Sequence, residues 1–273
     1  MKSDRWRWAC AVSAVMTAMW WAAPAARAGT VTECTIDKFC YCVDADLKPA
    51  IDKEVALVRS LIAAQRKQNK AIGYLSIPLS SGEGSYFPLN VKIAATVKEA
   101  VENRFGPKDV WMLNPAAPDI GLPDHASGAD YMLLWTRVLE GDAGEGADFD
   151  FVYFTGRRDF AGYFGLHGHG DLAKLSAYYD GLLKTELNLK SVDRTAFRNY
   201  YGLRASVAFS RGSHDEWNIV RAINAKRRTA DSGILKQLGV FFDGRDAAPG
   251  LFEDQAAAGY AAPCQSLPPA GGQ

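Results

Sequence analysis

Residues 163–172 read "YFGLHGHGDL". Two of the chain's four histidines, His167 and His169, stand one residue apart here, and Asp171 follows two residues later. Two imidazoles and a carboxylate at this spacing are ligand types from which a divalent cation can be held. The same letters also spell a turn. Gly168 and Gly170 supply backbone freedom, and Asp171 stands where an N-cap belongs, ahead of a helix bearing Leu172, Leu175, Tyr179 and Leu182. A cation is poorly placed at a helix N-terminus, whose dipole favours anions. Only His214 follows downstream, too few ligands for a two-metal site. The stretch is therefore expected to be a capped turn, and no metal is expected.

Other chemistry-bearing residues fall into polar loops. "SSGEGSYF" carries Ser80, Ser81, Glu83 and Ser85, and "NPAAPD" carries Asn114 and Asp119. "TGRRDF" carries Arg157, Arg158 and Asp159, and "SRGSHDEW" carries Ser210, Arg211, Ser213, His214, Asp215 and Glu216. The roles follow from residue type. Glu83 and Asp159 are candidate acid, base or carboxylate nucleophile groups, although Asp159 also suits the cap of a short helix "FAGYF". His214, near a helix start that keeps imidazole neutral, is a candidate base. Ser81, Ser85 and Asn114 are candidate substrate hydrogen-bonding groups. Arg157, Arg158 and Arg211 are candidate clamps for a phosphate or carboxylate. The glycine-rich first loop lacks the Gly-Lys-Ser/Thr ending of a phosphate loop, and no Gly-x-Ser-x-Gly elbow is present. No cofactor is implied.

Two resemblances bear on these residues. "HGHGDL" is similar to the His-x-His-x-Asp-His motif of metallo-β-lactamase-fold hydrolases, with Leu172 where the closing histidine belongs. "GYLSIPLSSGEGSYFPLNVKIAATVKEAVENRF" and "DFDFVYFTGRRDFAGYFG", within residues 71–165, resemble the first strand, sugar-facing loop, first helix and later Asp-bearing segment of the nucleoside 2-deoxyribosyltransferase-like family. That resemblance implies carboxylate attack on a sugar's anomeric carbon, with Asp159 matching the family's aspartate. The glutamate of the family's Asp-Gly-Thr…Glu segment has no counterpart at the expected place.

The elements that position these loops alternate. Ile51, Val55, Val58 and Ile62 form a helical stripe behind Pro49. Asn90 is expected to cap a helix with Ile93, Val97, Val101 and Phe105. Ser127 with Asp130, and Ser213 with Glu216, stand at capping-box spacing. Strands are expected over 71–79, 109–115, 148–156, 204–210 and 238–244. Strands alternating with helices predict a single-domain α/β fold, Rossmann-like or flavodoxin-like, with a largely parallel sheet of about five strands and helices on both faces. Ligands of such sheets bind beyond the carboxyl ends of the strands, where the polar loops would converge.

Composition fixes the setting. Lys2, Arg5 and Arg7, then an apolar stretch, then "ARA" before Gly29 make a signal peptide with cleavage expected after Ala28. The remaining organisation is a cysteine-bearing segment (29–46), an α/β domain (47–246) and a tail (247–273). Removing the leader leaves a small negative formal charge, so nucleic acid is not an expected partner. No later apolar run is long enough to span a membrane. Cys34, Cys40, Cys42 and Cys264 remain, an even set that suits two disulfides in an oxidising compartment. Three pairings are open. Cys40 with Cys42 is disfavoured, and a bridge from one of the first three to Cys264 is favoured. A metal cluster at "CTIDKFCYC" is the rival reading. The chain is expected to be an exported α/β protein acting, as a glycosidic-bond hydrolase or transferase, on a nucleoside-, sugar- or phosphate-bearing small molecule. The alternative is an exported binding protein without catalysis.

Overall fold

The computed structural model describes residues 29–79, 82–204, 210–229, 236–247 and 255–265. The expected leader, Ser81 and residues 205–209 of the expected fourth strand lie outside the described residues. The chain opens with an antiparallel hairpin, β1 (Thr30–Cys34) and β2 (Cys40–Asp44). Then follow α1 (Lys48–Arg66), β3 (Ala71–Ser76), α2 (Phe87–Phe105), β4 (Val110–Leu113), α3 (Gly128–Glu140), β5 (Phe151–Phe154), α4 (Arg157–Phe164), α5 (Asp171–Leu182), α6 (Arg194–Asn199), α7 (Arg211–Thr229), β6 (Gly239–Phe242) and β7 (Arg245–Asp246).

The main sheet has the order β4-β3-β5-β6-β7. Its first four strands pair in parallel, and β7 closes the edge antiparallel to β6. This is the α/β architecture expected. Among the described residues β7 supplies the fifth strand. The alternation of side chains along buried strands divides the core into two layers. Ile72, Tyr74, Val152 and Phe154 pack with α1, α3 and α7. Leu75, Phe151 and Tyr153 pack with α2, α4, α5 and α6. Chain order reverses between β3 and β5, which makes their carboxyl ends the switch point where ligands of doubly wound sheets bind.

Close packing here admits little change. Gly73 of β3 faces the Phe151 ring, and a Cβ at that position would lie 2.3 Å from Phe151 Cζ. Gly73→Ala is expected to cost about 1–3 kcal/mol through overpacking, measured as a shift in the urea midpoint at unchanged slope.

Local signals explain most helix starts. The α1 stripe is buried at Ile51, Val55, Val58 and Ile62, and Pro49 occupies the first turn. Ser127 and Asp130 form the expected capping box of α3. Other starts differ. α2 begins at Phe87, one turn before the expected cap, because Pro88 suits its first turn. Asn90 is then a buried helical residue that donates to Leu79 O at 2.6 Å and accepts from Tyr201 Oη at 2.7 Å. α7 begins at Arg211. Ser210, not Ser213, accepts the Ser213 N–H on its side-chain oxygen at 3.2 Å, so Glu216 is not a capping residue. Gly170, left-handed at φ 82°, caps α5, and Leu172 is 46% exposed.

The cysteines form two bridges, Cys34–Cys40 and Cys42–Cys264. The first closes the hairpin between directly opposed residues. The second carries the tail across to β2. α3 holds the hairpin: Glu140 accepts from Thr35 Oγ1 and the Ile36 and Asp37 N–H groups, and Tyr41 Oη meets Thr136 Oγ1 at 2.8 Å. Two disulfides fit an oxidising compartment. Among the described residues no helix is long and apolar enough to cross a membrane.

Candidate functional site

A cavity of about 500 Å³ opens at the carboxyl edge of the parallel strands. Its walls come from the segments after β3 (Ile77, Leu79) and β4 (residues 115–118 and Ile120), the first turns of α3 (Tyr131, Met132, Trp135) and the start of α7. Most of this lining is aliphatic or aromatic. The polar side chains on it are few, and the one that matters chemically is Glu216.

Glu216 is placed by two periodicities. On α7 it falls in line with Ile219, Val220 and Ile223, so the helix turns it inward with its apolar face. On β3, Tyr74 and Ser76 are two residues apart and share the face toward α7. Tyr74 Oη donates to Glu216 Oε1 at 2.5 Å, and Ser76 Oγ donates to Oε2 at 2.5 Å. Thr155, the residue after β5, supports this corner, donating to Ser76 O through both N–H and Oγ1. Glu216 is 6% exposed. Burial, only partly offset by the two hydroxyl donors, pushes its carboxyl up to about 7, and the neighbouring Asp215 charge pushes the same way. Tyr74 is raised by burial and then by Glu216, so its hydroxyl stays protonated and keeps donating.

Beside Glu216 lies Ser213, 1% exposed. Its Oγ has no hydrogen-bond partner among the described residues. A buried hydroxyl without a partner costs free energy until something supplies one.

The adjacent carboxylate has a different task. Asp215 accepts the N–H groups of Gly259, Tyr260 and Ala261 at 2.9, 2.6 and 3.1 Å. Its pKa is raised by burial against the lowering effect of those donors. The tail segment so held runs over the cavity rim and adds Tyr260 to the lining. Asn218 exchanges two hydrogen bonds with the backbone of Ala256. Arg211 donates twice to Gly259 O and covers the Tyr260 ring at 4.4 Å. Gly128 leaves the space that the Tyr260 ring occupies, and Gly259 passes against Arg211 O where a Cβ would not fit. Cys264 anchors the end of the strap to Cys42.

The sequence candidates are dispersed over this frame. Arg211 reaches the cavity, and its guanidinium is committed to the strap. Glu83 is exposed on the loop after β3, and Ser85 Oγ donates back to Gly82 O. Asn114 is buried and accepts from Ala116 N, an Asx turn after β4. His214 is partly buried in the first turns of α7 and is not among the cavity-lining residues. Asp159 lies on the opposite face of the sheet, in a groove with Arg104, Arg158 and Asp243. Its carboxylate accepts from Gly156 N at 2.9 Å and Tyr153 Oη at 2.8 Å, which closes the first turn of α4, and burial raises its pKa. Arg157 and Arg158 are exposed, and Arg158 N donates to Asp243 Oδ1. Glu83, Asp159 and His214 thus do not share a cavity.

His167 and His169 are exposed. The Asp171 carboxylate accepts the His167 and Gly168 N–H groups, so it folds the preceding glycine turn instead of capping its own helix. Those donors hold its pKa below the usual carboxylate range. Among the described residues no group of three or more His, Cys, Asp or Glu side chains is assembled to hold a metal.

In the sequence Glu216 stands among the polar residues of "SRGSHDEW" and at capping-box spacing, with no catalytic role assigned to it. The available signal was its place on the apolar stripe of α7, opposite a strand that puts Tyr74 and Ser76 on one face. Comparison of the chain with protein-family models, with curated proteins and with solved structures finds no match in any of the three.

Proposed function

We propose that this chain is an exported α/β enzyme that binds a small organic molecule in the cavity at the carboxyl edge of its sheet and transfers a proton through Glu216. The observation that carries the reading is the setting of Glu216: a buried carboxyl, oriented by Tyr74 and Ser76, on the wall of the cavity at the carboxyl edge of the sheet. A carboxyl that titrates near 7 holds and releases a proton with equal ease at neutral pH, which suits a general acid–base group. Hydrolysis is the simplest such reaction, with Glu216 taking a proton from water or giving one to a leaving group. Export rests on the basic, apolar and "ARA" order of residues 1–28, together with two disulfides.

Glycosyl transfer, as the deoxyribosyltransferase-like resemblance implies, calls for a free carboxylate at the sugar. Both Asp159 oxygens accept hydrogen bonds from the chain itself, and Asp215 is committed to the strap. The reading therefore rests on Glu216 acting alone, on a substrate whose body is largely apolar.

The test is a melting-temperature screen with esters, amides, amines, nucleosides, sugars, phosphates and divalent metals, followed by turnover assays on each stabilising class. Glu216→Gln is expected to leave the fold and the cavity intact and to lose turnover by about a hundredfold or more, the usual worth of a positioned acid–base group. Stabilisation without turnover in the wild type would identify a binding protein, and turnover unaffected by Glu216→Gln would reject the assignment.

A further inference from the structure

The charge balance of this cavity names a ligand class. Glu216 forms no ion pair among the described residues; its partners, Tyr74 and Ser76, are uncharged hydroxyls. The titratable groups that act on it are Tyr74 on β3, Tyr41 on β2 and Asp215 on α7 itself. The two tyrosines are raised by burial and remain neutral, and Asp215 carries the same sign as Glu216. The rim cation, Arg211, turns Nε and one terminal nitrogen to Gly259 O and its face to the Tyr260 ring, away from an ion pair with Glu216. Buried charges in proteins are paired. An ionised Glu216 would face a largely apolar cavity with no ion-pair partner among the described residues.

The cavity also has what an organic cation needs around that charge. Tyr131 and Trp135 put aromatic side chains on its wall beside the Arg211-covered Tyr260 ring, and aromatic rings attract ammonium groups strongly when water is excluded. Ser213 Oγ, buried and unpartnered among the described residues, can accept a further N–H. Ile77, Leu79, Met132 and Ile120 offer surface for a hydrocarbon or aromatic body. A volume of about 500 Å³ holds a molecule of that size.

We infer that the cavity takes a small organic amine, protonated at nitrogen, with its ammonium at Glu216 and its apolar body against the aromatic and aliphatic wall. The inference rests on the cavity being the functional site. It narrows the substrate to a class whose charge supplies what Glu216 lacks. An anionic ligand would meet Glu216 as a like charge, and a neutral alcohol would leave an ionised Glu216 without an ion-pair partner.

The probes are 2-phenylethylamine, 2-phenylethanol and 3-phenylpropionate, similar in shape and different in charge. Each is titrated calorimetrically into the disulfide-intact mature protein at pH 6 and pH 8. The amine is expected to bind at least about tenfold more tightly than the alcohol or the carboxylate, the worth of one charge-assisted contact. Its affinity should rise from pH 6 to pH 8 as Glu216 ionises, and Glu216→Gln should remove both the preference and its pH dependence. Ala116→Trp, which fills the cavity, should abolish binding in either background. Two results would overturn the amine class: equal binding of alcohol and amine, or amine binding indifferent to Glu216→Gln. If Ala116→Trp still abolished that binding, the cavity would stand as the site. Binding of no probe to the wild type, or binding unaffected by Ala116→Trp, would overturn the amine class and the cavity assignment together.

Discussion

Removal of the Cys42–Cys264 bridge by serine substitution is expected to lower stability by about 4–5 kcal/mol, with the melting temperature falling by roughly 10–15 °C. The bridge joins residues 222 apart, so its loss releases a long loop in the unfolded chain. Cys34–Cys40 closes a separation of 6, and the same reasoning gives about 2 kcal/mol for its removal. The long bridge also fastens the strap that bears Tyr260. Asp215→Ala attacks the strap from its other anchor, leaving the N–H groups of Gly259, Tyr260 and Ala261 without their acceptor. That loss is expected to cost about 3 kcal/mol, and Asp215→Asn, which keeps one acceptor oxygen, about half as much. Urea denaturation of the oxidised proteins measures each value. A long-bridge variant no less stable than the short-bridge variant would refute the role given to the strap.

The second large effect is a fall in stability as pH rises. Glu216 titrates at about 7 in the folded chain and at an ordinary glutamate value of 4.5 when unfolded. A raised carboxyl binds its proton more tightly in the folded state. Its contribution is therefore complete below about pH 4.5 and is lost as pH rises through about 7. The shift corresponds to on the order of 3 kcal/mol. Glu140, Asp159 and Asp215 are also raised by burial and add in the same direction. The wild type is thus expected to be more stable at pH 5 than at pH 8, and Glu216→Gln to flatten most of that slope. The amide oxygen still accepts from Tyr74, and the Ser76 hydroxyl can rotate to accept from the amide N–H. Unfolding free energies measured between pH 4 and pH 8.5 on both proteins test this. Parallel slopes would show that Glu216 does not titrate in this range.

The frame of the fold was legible because its signals are local. The α1 stripe, the Ser127–Asp130 box and the short apolar runs of β3, β4, β5 and β6 each declare an element within a few residues. The cysteine count pointed to two bridges, and the long one reaches Cys264 as favoured. What was not legible depends on distant partners. Ser213 and Glu216 have capping-box spacing, but Ser210 also fits a cap, and the earlier start is the one that turns Glu216 into the core. Tyr74 and Glu216 are 142 residues apart in sequence, and no local pattern joins them. The tail, rich in alanine, glycine and proline, reads as weakly structured, and its described residues 255–265 are ordered by distant partners, Asp215, Asn218 and Cys42. Loop residues such as Glu83 and Asp159 drew attention by type. Their surroundings, solvent for one and the first turn of α4 for the other, are decided by packing.

The titration of Glu216 itself decides whether the cavity wall carries a group poised for proton transfer. Carbon-13 NMR of side-chain carboxyl groups in glutamate-labelled protein, with the Glu216→Gln variant to assign the resonance, reads its protonation state from pH 4 to pH 9. One glutamate resonance with a midpoint near 7, absent from the variant, is expected. A midpoint near 4.5 would contradict it, because a carboxyl already ionised at mildly acidic pH is neither desolvated nor poised to exchange a proton at the cavity wall.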